Sequence, residues 1–552
     1  MSQKPWLNQY DSHVPSSLIY PQLSLVDLLR NSVQKYPENA FLIYEKSKFS
    51  FSNVNHLSDQ LAFSLIRLGV KPGDRVGIAL PNIPQFIIIY LAILKAGAIV
   101  VAINPNYRPR EIIEMVNSSQ VDLLFYLNEK DNEIKEVKGK SCLKKMVKCQ
   151  MEDLIWLEDF QTPQKKIDIS SDSEKFDFFD LFQIDIKKRS LPVISSEQPA
   201  VFQFTGGTTG TPKAAIGLHR NLVTNTRQFI TWCDLKEGEE TVLAVIPLYH
   251  VYGMVLALCL GIALGAKIIL ISNAKEIEKM LGAIEEYHVS FFPGVPSLYY
   301  AINQNPDVQN HMVDLHSIKA CISGSAPLHP EIKRKFEMLT GGKLMEGYGL
   351  SEAPTATHCN PMFGDNRIGS IGLPLPDVDC QVVDIEDDKK IMGIGEIGEL
   401  VIKGPQVMQG YHQDTIETAK TLQNGWLHTG DIVRMDKDGY FYVVDRKKSL
   451  IKIGGFQVWP NEIEQVIGTH PAIKEAGVGG VPDQEQGEKV IAWVVLKPGE
   501  KMEVKALKEW CRIYLASYKI PSEIYFIEEI PKTSVGKILR RELIHQYLNN
   551  RK

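Results

Sequence analysis

The sequence contains few cysteines, and none is spaced as a metal site or a disulfide framework requires. Its 552 residues include eight cysteines, with no Cys-x-x-Cys pair and no His/Cys cluster. Isolated cysteines in a chain of this length are typical of reduced thiols in a cytoplasmic protein. We expect the nearest pair, Cys142 and Cys149, to be surface thiols.

An excess of basic residues is also absent. The chain has 61 Lys and Arg against 66 Asp and Glu, a formal net charge of -5. This balance argues against a nucleic-acid partner, because such proteins normally carry a basic surface. The N-terminus lacks the basic and then apolar run of an export signal, so we expect a cytoplasmic protein.

No apolar run is long enough to cross a bilayer. The segment Val251–Leu264, VYGMVLALCLGIAL, is free of charge and strongly apolar. It is shorter than the roughly 20 residues that a membrane-spanning helix needs. We therefore predict a buried core helix at this position.

What the sequence does contain is an alternation of apolar, strand-like runs with amphipathic helical runs. RVGIALP (75–81) precedes the helical QFIIIYLAILKAG, and the strand-like AIVVAINP (98–105) follows it. Continuous apolar strands separated by helices predict an α/β fold whose mostly parallel sheets are covered by helices.

Residues 129–195 depart from this alternation. Six lysines fall between Lys135 and Lys148, and the acidic SDSEKFDFFDLF follows. A solvated surface excursion is the favoured interpretation, with a membrane-docking patch as the alternative.

A second pattern begins near Asp445. Helical PNEIEQVIGTHP, strand-like IKEAGVGGVPD and KVIAWVVLKPG, and helical VKALKEWCRIYLASYKIP together fit a small α+β unit. We predict a large N-terminal domain over residues 1–444 and a small C-terminal domain over residues 445–552.

The stretch TGGTTGTPK, from Thr205 to Lys213, has the composition of a phosphate-binding loop. Its glycines allow close backbone approach, its amides and hydroxyls can donate to phosphate oxygens, and its lysine adds positive charge. It is not a Walker loop, because Thr211 and Pro212 separate Gly210 from the lysine. A flexible polar loop is the less favoured alternative.

TGGTTGTPK resembles the phosphate loop of the adenylate-forming (AMP-binding) enzymes, and further segments match that family in the same order. These are PLYHVYG (247–253), SGSAPL (323–328), EGYGLSE (346–352), WLHTGD (426–431), VVDRKKSLIKIGGFQVWPNEIE (443–464) and PKTSVGKILRRE (531–542). The resemblance spans essentially the whole chain. KPWLNQYDSHVP, NPNYRPRE and KGPQVMQGY extend it to the bacterial long-chain fatty acid–CoA ligases.

The resemblance implies the adenylate-forming enzyme fold, with a mobile C-terminal domain, and AMP-forming acyl-CoA ligase activity. Enzymes of this family join a carboxylate to the α-phosphate of ATP, release pyrophosphate, and then let the thiol of coenzyme A displace AMP. The expected ligands are therefore a fatty acid, ATP, Mg²⁺ and coenzyme A. Peripheral contact with the inner face of the membrane and a homodimer are compatible with the resemblance.

The family motifs assign the nucleotide site residue by residue. The β- and γ-phosphates would be held by Thr205, Gly206, Gly207, Thr208, Thr209 and Lys213. The nucleoside would be held by Gly324, Ser325, Ala326, Pro327, Glu346, Gly347, Tyr348, Gly349, Val443, Asp431 and Arg446, the last two at the ribose. Ser351 and Glu352 would meet the α-phosphate, and Glu352 with the Thr205 hydroxyl would hold Mg²⁺.

Two lysines would serve different steps. By resemblance, Lys537 reaches the carboxylate and α-phosphate during adenylation, although in isolation it would be interpreted as a solvated lysine. Lys452, together with Gly454 and Gly455 along the path of the pantetheine arm, would serve thioester formation. Asp445 corresponds to the hinge about which the small domain turns between these two states.

His250 lies where the carboxylate pocket would meet the thiol tunnel, and we favour a gating or orienting role over a plain core histidine. Some long-chain members carry a tryptophan gate four residues later, where this chain has Met254. Three alternatives remain: transfer of the acyl group to a carrier-protein phosphopantetheine, a preference for medium-chain or aromatic acids, and a relative that only binds nucleotide.

Overall fold

The structure is a computed structural model that describes residues 4–151, 173–182, 190–205, 212–453, 456–483, 485–533 and 537–549. Within these ranges the strands are β1 (Ala40–Tyr44), β2 (Ser47–Ser50), β3 (Arg75–Ala79), β4 (Ile99–Ala102), β5 (Leu123–Leu127), β6 (Lys145–Cys149), β7 (Lys175–Asp177), β8 (Pro199–Phe204), β9 (Ala214–Leu218), β10 (Thr241–Ala244), β11 (Lys267–Leu270), β12 (Phe291–Gly294), β13 (Ala320–Ser323), β14 (Lys343–Leu350), β15 (Ala353–Cys359), β16 (Leu373–Pro374), β17 (Asp379–Val383), β18 (Ile397–Lys403), β19 (Leu422–Gln423), β20 (Trp426–Met435), β21 (Phe441–Arg446), β22 (Ile451–Ile453), β23 (Phe456–Val458), β24 (Ile473–Asp483), β25 (Gly487–Leu496) and β26 (Glu523–Phe526).

The helices of the same described ranges are α1 (Leu25–Lys35), α2 (Phe51–Arg67), α3 (Pro84–Lys95), α4 (Pro109–Ser119), α5 (Asp131–Lys140), α6 (His219–Trp232), α7 (Val251–Gly253), α8 (Leu260–Leu264), α9 (Ile277–Tyr287), α10 (Pro296–Gln304), α11 (Pro306–Gln309), α12 (Pro330–Thr340), α13 (Thr415–Thr421), α14 (Pro460–Gly468), α15 (Val504–Tyr514) and α16 (Arg540–Asn549). The runs QFIIIYLAILKAG, PNEIEQVIGTHP and VKALKEWCRIYLASYKIP fall on α3, α14 and α15.

Two large, mostly parallel sheets form the N-terminal part. One has the strand order β7-β6-β5-β3-β4-β8-β9 and is parallel except for the β8–β9 pair. The other has the order β16-β15-β14-β13-β12-β10-β11-β1-β2, with parallel pairing from β1 through β11, β10, β12 and β13 to β14. The predicted α/β architecture is confirmed.

Helix α3 shows why these sheets need covering on both faces. All twelve of its residues are buried, including both ends of PQFIIIYLAILK. A helix that is apolar all round is stable only inside a core. It belongs to a hydrophobic cluster that draws residues from both large sheets.

The apolar segment 251–264 is buried, as predicted, and forms one continuous helical stretch. Helix α7 leads into a π-helical segment, Met254–Cys259, and then into α8. No helix among the described residues is long and apolar enough to cross a membrane.

A third sheet, which the sequence patterns did not reveal, joins the large sheets to the C-terminal part. Strands β17, β18, β20 and β19 pair in that order, and β21 pairs with β20. The pairing is antiparallel throughout, and Asp431 on β20 lies opposite Arg446 on β21.

The C-terminal part has a sheet and hydrophobic clusters of its own. Its strands run β23-β22-β25-β24, with β26 beside β25. Two clusters, built from residues between Ile451 and Tyr547, are separate from those built from residues up to Phe441. The predicted boundary near residue 445 therefore falls between two sets of cores.

The lysine-rich stretch is more ordered than the predicted surface excursion. Its described residues form α5, β6 and β7, the last two as strands of the seven-stranded sheet. Five of the six lysines pair with carboxylates: Lys135 with Asp131, Lys138 with Glu174, Lys140 with Glu136, Lys144 with Asp122 and Lys148 with Asp177. Alternating charges thus neutralise one another locally.

The prediction that Cys142 and Cys149 are surface thiols is half right. Cys142 is exposed, whereas Cys149 is buried. Cys149 ends β6, and it lies opposite Leu127 in the sheet, which explains its burial.

Asn225 on α6 ties that helix to β15, the strand that follows the EGYGLSE motif. Its Oδ1 accepts hydrogen bonds from the Thr355 and Ala356 amides at 2.8 and 3.1 Å, and its Nδ2 donates to the Ala356 carbonyl at 2.8 Å. All of these groups are buried, so water cannot replace the amide side chain.

We predict that Asn225→Ala strongly destabilises the N-terminal part, since each buried backbone amide left without a partner costs about 1–3 kcal/mol. The measurement is the midpoint of urea unfolding, with the exposed Asn273→Ala as the matched control, expected to change stability by less than about 0.5 kcal/mol. Equal midpoints for the two variants would contradict the prediction.

Candidate active site

The site is built at the carboxyl ends of the parallel strands β12, β13 and β14, where open α/β sheets commonly bind ligands. Tyr252 supports this edge of the sheet. Its hydroxyl lies within hydrogen-bond distance of the carbonyl oxygens of Gly294 and Ile322, at 2.9 and 2.7 Å. A Cβ atom on Gly324 would lie 3.3 Å from the Tyr252 ring. Glycine at this position therefore lets the strand end lie close to the tyrosine.

The segment after Gly324 turns outward to form the rim of the site. Ser325 has a φ of +71°, which is uncommon for a residue other than glycine, and it is exposed together with Pro327, whereas Ala326 is half-buried. The Leu328 amide anchors the turn by donating to Glu346 Oε1 at 3.3 Å. Burial raises the pKa of Glu346 to about 8.

The EGYGLSE motif forms the end of β14 and its turn into β15. Gly349 is required by packing, because a Cβ atom there would overlap the carbonyl oxygen of Thr355. A Cβ on Gly347 would lie 3.1 Å from Ile322. The two glycines hold the strand close to its neighbours, so the intervening Tyr348 points to a fixed place.

The Tyr348 side chain points to the carboxylate of Asp431, a residue that is 3 % exposed. The Tyr348 hydroxyl donates to its Oδ2 at 2.6 Å, and Arg446 Nε pairs with its Oδ1 at 2.8 Å. The Asp431 amide donates to Thr429 Oγ1 at 3.1 Å. Arg446 Nη2 also donates to Oδ2, at 3.5 Å, so Oδ1 is the oxygen that keeps an acceptor site for a further hydrogen bond. Val443 is half-buried on the same strand as Arg446.

Arg446 and Lys537 bring positive charge to the same place. The Asp431 carboxylate is the main cause of a raised Arg446 pKa. The Lys537 pKa is lowered to about 8, first by burial and then by the cations Arg446 and Arg540, while Asp431 and Glu352 oppose the shift. Lys537 of the C-terminal part therefore lies within electrostatic range of Asp431, Arg446 and Glu352.

Glu352 supplies the carboxylate predicted for Mg²⁺. It is half-buried, as is Ser351 before it, and its Oε1 accepts a hydrogen bond from the Tyr411 hydroxyl at 2.8 Å. Its backbone carbonyl accepts the Met408 amide at 2.8 Å. Among the described residues Oε2 has no hydrogen-bond donor, which leaves one hard oxygen ligand for a cation. With the hydroxyl of the half-buried Thr205, this donor set fits Mg²⁺, which takes its remaining ligands from water and phosphate.

Most of the phosphate loop lies outside the described residues, namely Gly206, Gly207, Thr208 and Thr209, with Gly210 and Thr211. Its two ends are held together, because the Thr205 amide donates to the Lys213 carbonyl at 2.9 Å. The Lys213 ammonium pairs with Glu417 and lies 5.6 Å from the centre of the Tyr411 ring. Its assignment to the phosphates stays a prediction.

His250 is neutral in this environment. Its Nδ1 accepts the Tyr252 amide at 3.2 Å, which places the ring proton on Nε2, and burial lowers the pKa to about 4. The histidine therefore caps α7 and can orient a substrate group through Nε2–H, without carrying charge. Met254 is buried one turn later.

Lys452 is exposed on β22, where its amide donates to Glu488 Oε2 at 2.7 Å. Gly454 and Gly455 lie outside the described residues. The lysine assigned to thioester formation is therefore exposed in this structure.

Asp445 is buried between the two parts of the chain. Its carboxylate accepts the amides of Arg446 and Asn461, at 2.6 and 2.7 Å, and the Asn461 side chain donates to the Val444 carbonyl at 2.9 Å. Burial is the largest cause of its raised pKa. The residue thereby joins the end of β21 to the start of α14.

The structure adds residues that the sequence analysis did not single out. Tyr411 and Glu417 contact Glu352 and Lys213, as described above, and Thr533 accepts the Lys537 amide at 3.1 Å. Arg540 forms a paired salt bridge with Glu464, with distances of 2.6 and 3.0 Å. KGPQVMQGY, already quoted for its resemblance, was the only signal for Tyr411.

Comparison with known proteins agrees with this geometry. The family described as AMP-binding enzyme matches residues 29–412, and the AMP-binding enzyme C-terminal domain matches residues 462–537. The chain is 39% identical to a long-chain-fatty-acid–CoA ligase of Bacillus subtilis (strain 168), covering 100% of this chain and 99% of the relative. It is 35% identical to one of Escherichia coli O157:H7, covering 98% of each. A 4-coumarate–CoA ligase of Humulus lupulus, CCL1, is 32% identical over 97% of this chain and 96% of the relative.

Solved structures share the fold. ATP-bound MatB from Rhodopseudomonas palustris superposes with a TM-score of 0.83 at 24% identity, over 96% of this chain and 100% of that one. The anthranilate CoA ligase AuaEII, in complex with anthranoyl-AMP, gives 0.83 at 25% identity, over 96% and 99%. With both parts of the chain matched and relatives similar over its full length, this protein belongs to the AMP-binding enzyme family.

Proposed function

We propose that this protein is a long-chain fatty acid–CoA ligase that works through an acyl-adenylate. The observation that carries the proposal is the convergence of Glu352, Asp431, Arg446 and Lys537 on one site, in a chain whose relatives at 39% and 35% identity bear that name. ATP, Mg²⁺ and coenzyme A are the ligands of this chemistry.

In the first half-reaction a carboxylate oxygen of the fatty acid attacks the α-phosphorus of ATP. The bond from that phosphorus to the bridging oxygen breaks, and pyrophosphate leaves. Negative charge gathers between acid and phosphate, where Lys537 and Arg446 would stabilise it. Mg²⁺ held at Glu352 and Thr205 would neutralise phosphate charge. Asp431 and Tyr348 would orient the ribose, and the phosphate loop would hold the leaving pyrophosphate.

In the second half-reaction the coenzyme A thiol attacks the acyl carbon, loses its proton and expels AMP. The proposal divides the chain into residues 1–444 and a mobile domain, 445–552, that turns about Asp445. The ion pairs Arg446–Asp431 and Lys447–Glu399, both at 2.8 Å, cross this boundary. On rotation these ion pairs would break. The face of the C-terminal domain that carries Lys537 would then leave the site, and the face that carries Lys452, Gly454 and Gly455 would take its place.

The same proposal places the enzyme in the cytoplasm, in peripheral contact with the inner membrane surface and as a homodimer. A long alkyl chain partitions strongly into lipid, at about 0.8 kcal/mol for each buried CH₂ group, so its substrate is most concentrated there. Closed two-fold dimers are the commonest soluble oligomers.

We predict that saturated acids of increasing length give acyl-CoA with the highest kcat/KM for long chains, because apolar contacts with the acyl tunnel accumulate with each methylene. The assay is pyrophosphate release with product identification by mass. It is run with coenzyme A, with a phosphopantetheinylated carrier protein, and with 4-coumarate as the aromatic control. Preference for 4-coumarate, or acylation of the carrier alone, would contradict the proposed substrate or acceptor.

Lys537 should make adenylation sensitive to pH. Since its pKa in the free protein is about 8, the ammonium is lost above that value, and kcat/KM for pyrophosphate release without coenzyme A should fall about tenfold per pH unit. Lys537→Arg keeps its charge and should remove this fall. Glu346 titrates in the same range, so Glu346→Gln is the matched control, in which the fall should persist. Identical pH profiles for wild type and Lys537→Arg would refute the assignment.

The two half-reactions should separate by mutation. Lys537→Ala should lose acid-dependent pyrophosphate release by roughly 10²-fold or more, yet convert supplied acyl-AMP to acyl-CoA. Lys452→Ala and Gly455→Leu should do the reverse, and Asp445→Pro, which restricts the hinge backbone, should resemble them. Single-turnover kinetics of each step is the measurement. Equal slowing of both steps in all four variants would contradict domain alternation.

A further inference from the structure

Tyr411 lies where three parts of the site meet. Its hydroxyl donates to Glu352 Oε1 at 2.8 Å, and its ring lies under the Lys213 ammonium, which pairs with Glu417 on α13. The tyrosine is 9% exposed, so bulk water has little access to its phenol. One side chain thus touches both the carboxylate assigned to Mg²⁺ and the lysine at the end of the phosphate loop.

The segment that carries Tyr411 is itself fixed. Asn221 on α6 donates to the carbonyls of Pro405 and Val407 at 2.9 and 3.0 Å. The Gln409 amide donates to the Ile216 carbonyl of β9 at 3.0 Å.

Two further bonds hold the tyrosine and its neighbours. The Tyr411 amide donates to Thr418 Oγ1 at 2.9 Å, and the Met408 amide donates to the Glu352 carbonyl at 2.8 Å. The backbone around the tyrosine therefore has little freedom, and the phenol approaches Glu352 from a set direction.

We propose that Tyr411 is a positioning residue for the Glu352 carboxylate, which it holds so that the second oxygen faces the cation. The proposal rests on the proposed function, because it takes Glu352 as the Mg²⁺ ligand. By occupying Oε1, the phenol limits rotation of the carboxylate and leaves Oε2 as the ligand atom. Partners of this kind, behind a metal ligand, commonly change metal affinity about 10- to 100-fold.

A second tyrosine provides an internal comparison. Tyr348 makes the same type of bond to Asp431 at 2.6 Å, on the ribose side of the site. Loss of the Tyr411 hydroxyl should affect only the contribution of Mg²⁺ to ATP binding. Loss of the Tyr348 hydroxyl should affect ATP binding with and without the metal.

The test is an equilibrium titration of ATP without fatty acid, in excess Mg²⁺ and in EDTA. In Tyr411→Phe the gain in ATP affinity on adding Mg²⁺ should shrink about tenfold, while the affinity in EDTA stays at the wild-type value. Tyr348→Phe should weaken both affinities equally. Tyr126→Phe is the matched control, since the phenol of this β5 residue donates to Asp131 of α5 at 2.7 Å, and it should change neither affinity.

A double variant decides whether the effect passes through Glu352. Glu352→Gln should itself lose most of the Mg²⁺-dependent gain, and adding Tyr411→Phe should cause no further loss. An unchanged gain in Tyr411→Phe, or losses that simply add in the double variant, would overturn the proposal.

A milder substitution tests the proposal if Tyr411→Phe does not fold. Conversion of supplied acyl-AMP and the melting temperature report on folding. If Tyr411→Phe is unfolded, Thr418→Val replaces it, because this change loosens the tyrosine and keeps its phenol. The Mg²⁺-dependent gain should then fall at least threefold, and a wild-type gain would count against the proposal. The acid scan on the wild-type enzyme tests the proposed function independently.

Discussion

The buried carboxylate of Asp431 is the interaction on which the rest of the site depends. An ionised carboxylate out of water is tolerated only when charged or polar partners compensate it. Here Tyr348 comes from the nine-stranded sheet and Arg446 from the end of the third sheet, so one carboxylate joins two sheets. Lys537 lies in the same field, where burial and repulsion from Arg446 outweigh the attraction to Asp431 and lower the lysine pKa.

The proposed mechanism separates rigid parts of the site from a movable one. Glycines at 347 and 349 and the bonds around Tyr411 hold the nucleotide and metal groups on strands that the cores support. Lys537 instead comes from the C-terminal part, on a segment beside Thr533, and its burial among cations lowers its pKa. If the C-terminal domain turns as proposed, a charge that is costly to bury is withdrawn, whereas the groups assigned to the ribose and the metal stay in place for both steps.

The sequence predicted the family and the parallel sheets, because these depend on local patterns. Such patterns can be recognised in the sequence alone: continuous apolar strands, glycines beside a ligand and ordered motifs. It missed the antiparallel third sheet, whose strands come from residues 379–446 and lack a common local pattern. It also took the lysine-rich stretch for a surface excursion, although β6 pairs with β5 and β7 in the sheet and buries Met146, Val147 and Cys149.

The sequence by itself determined which chemical groups are available: a glycine- and threonine-rich loop, a carboxylate for a cation, a carboxylate for a ribose and two lysines for two steps. Only the tertiary structure decided which of them act together. It brought Lys537 within electrostatic range of Asp431 and left Lys452 exposed, and it tied Lys213 to Glu417 and Tyr411. The physical reason is that charge interactions depend on distance and burial, which spacing along the chain does not specify for residues as far apart as Glu352, Tyr411 and Lys537.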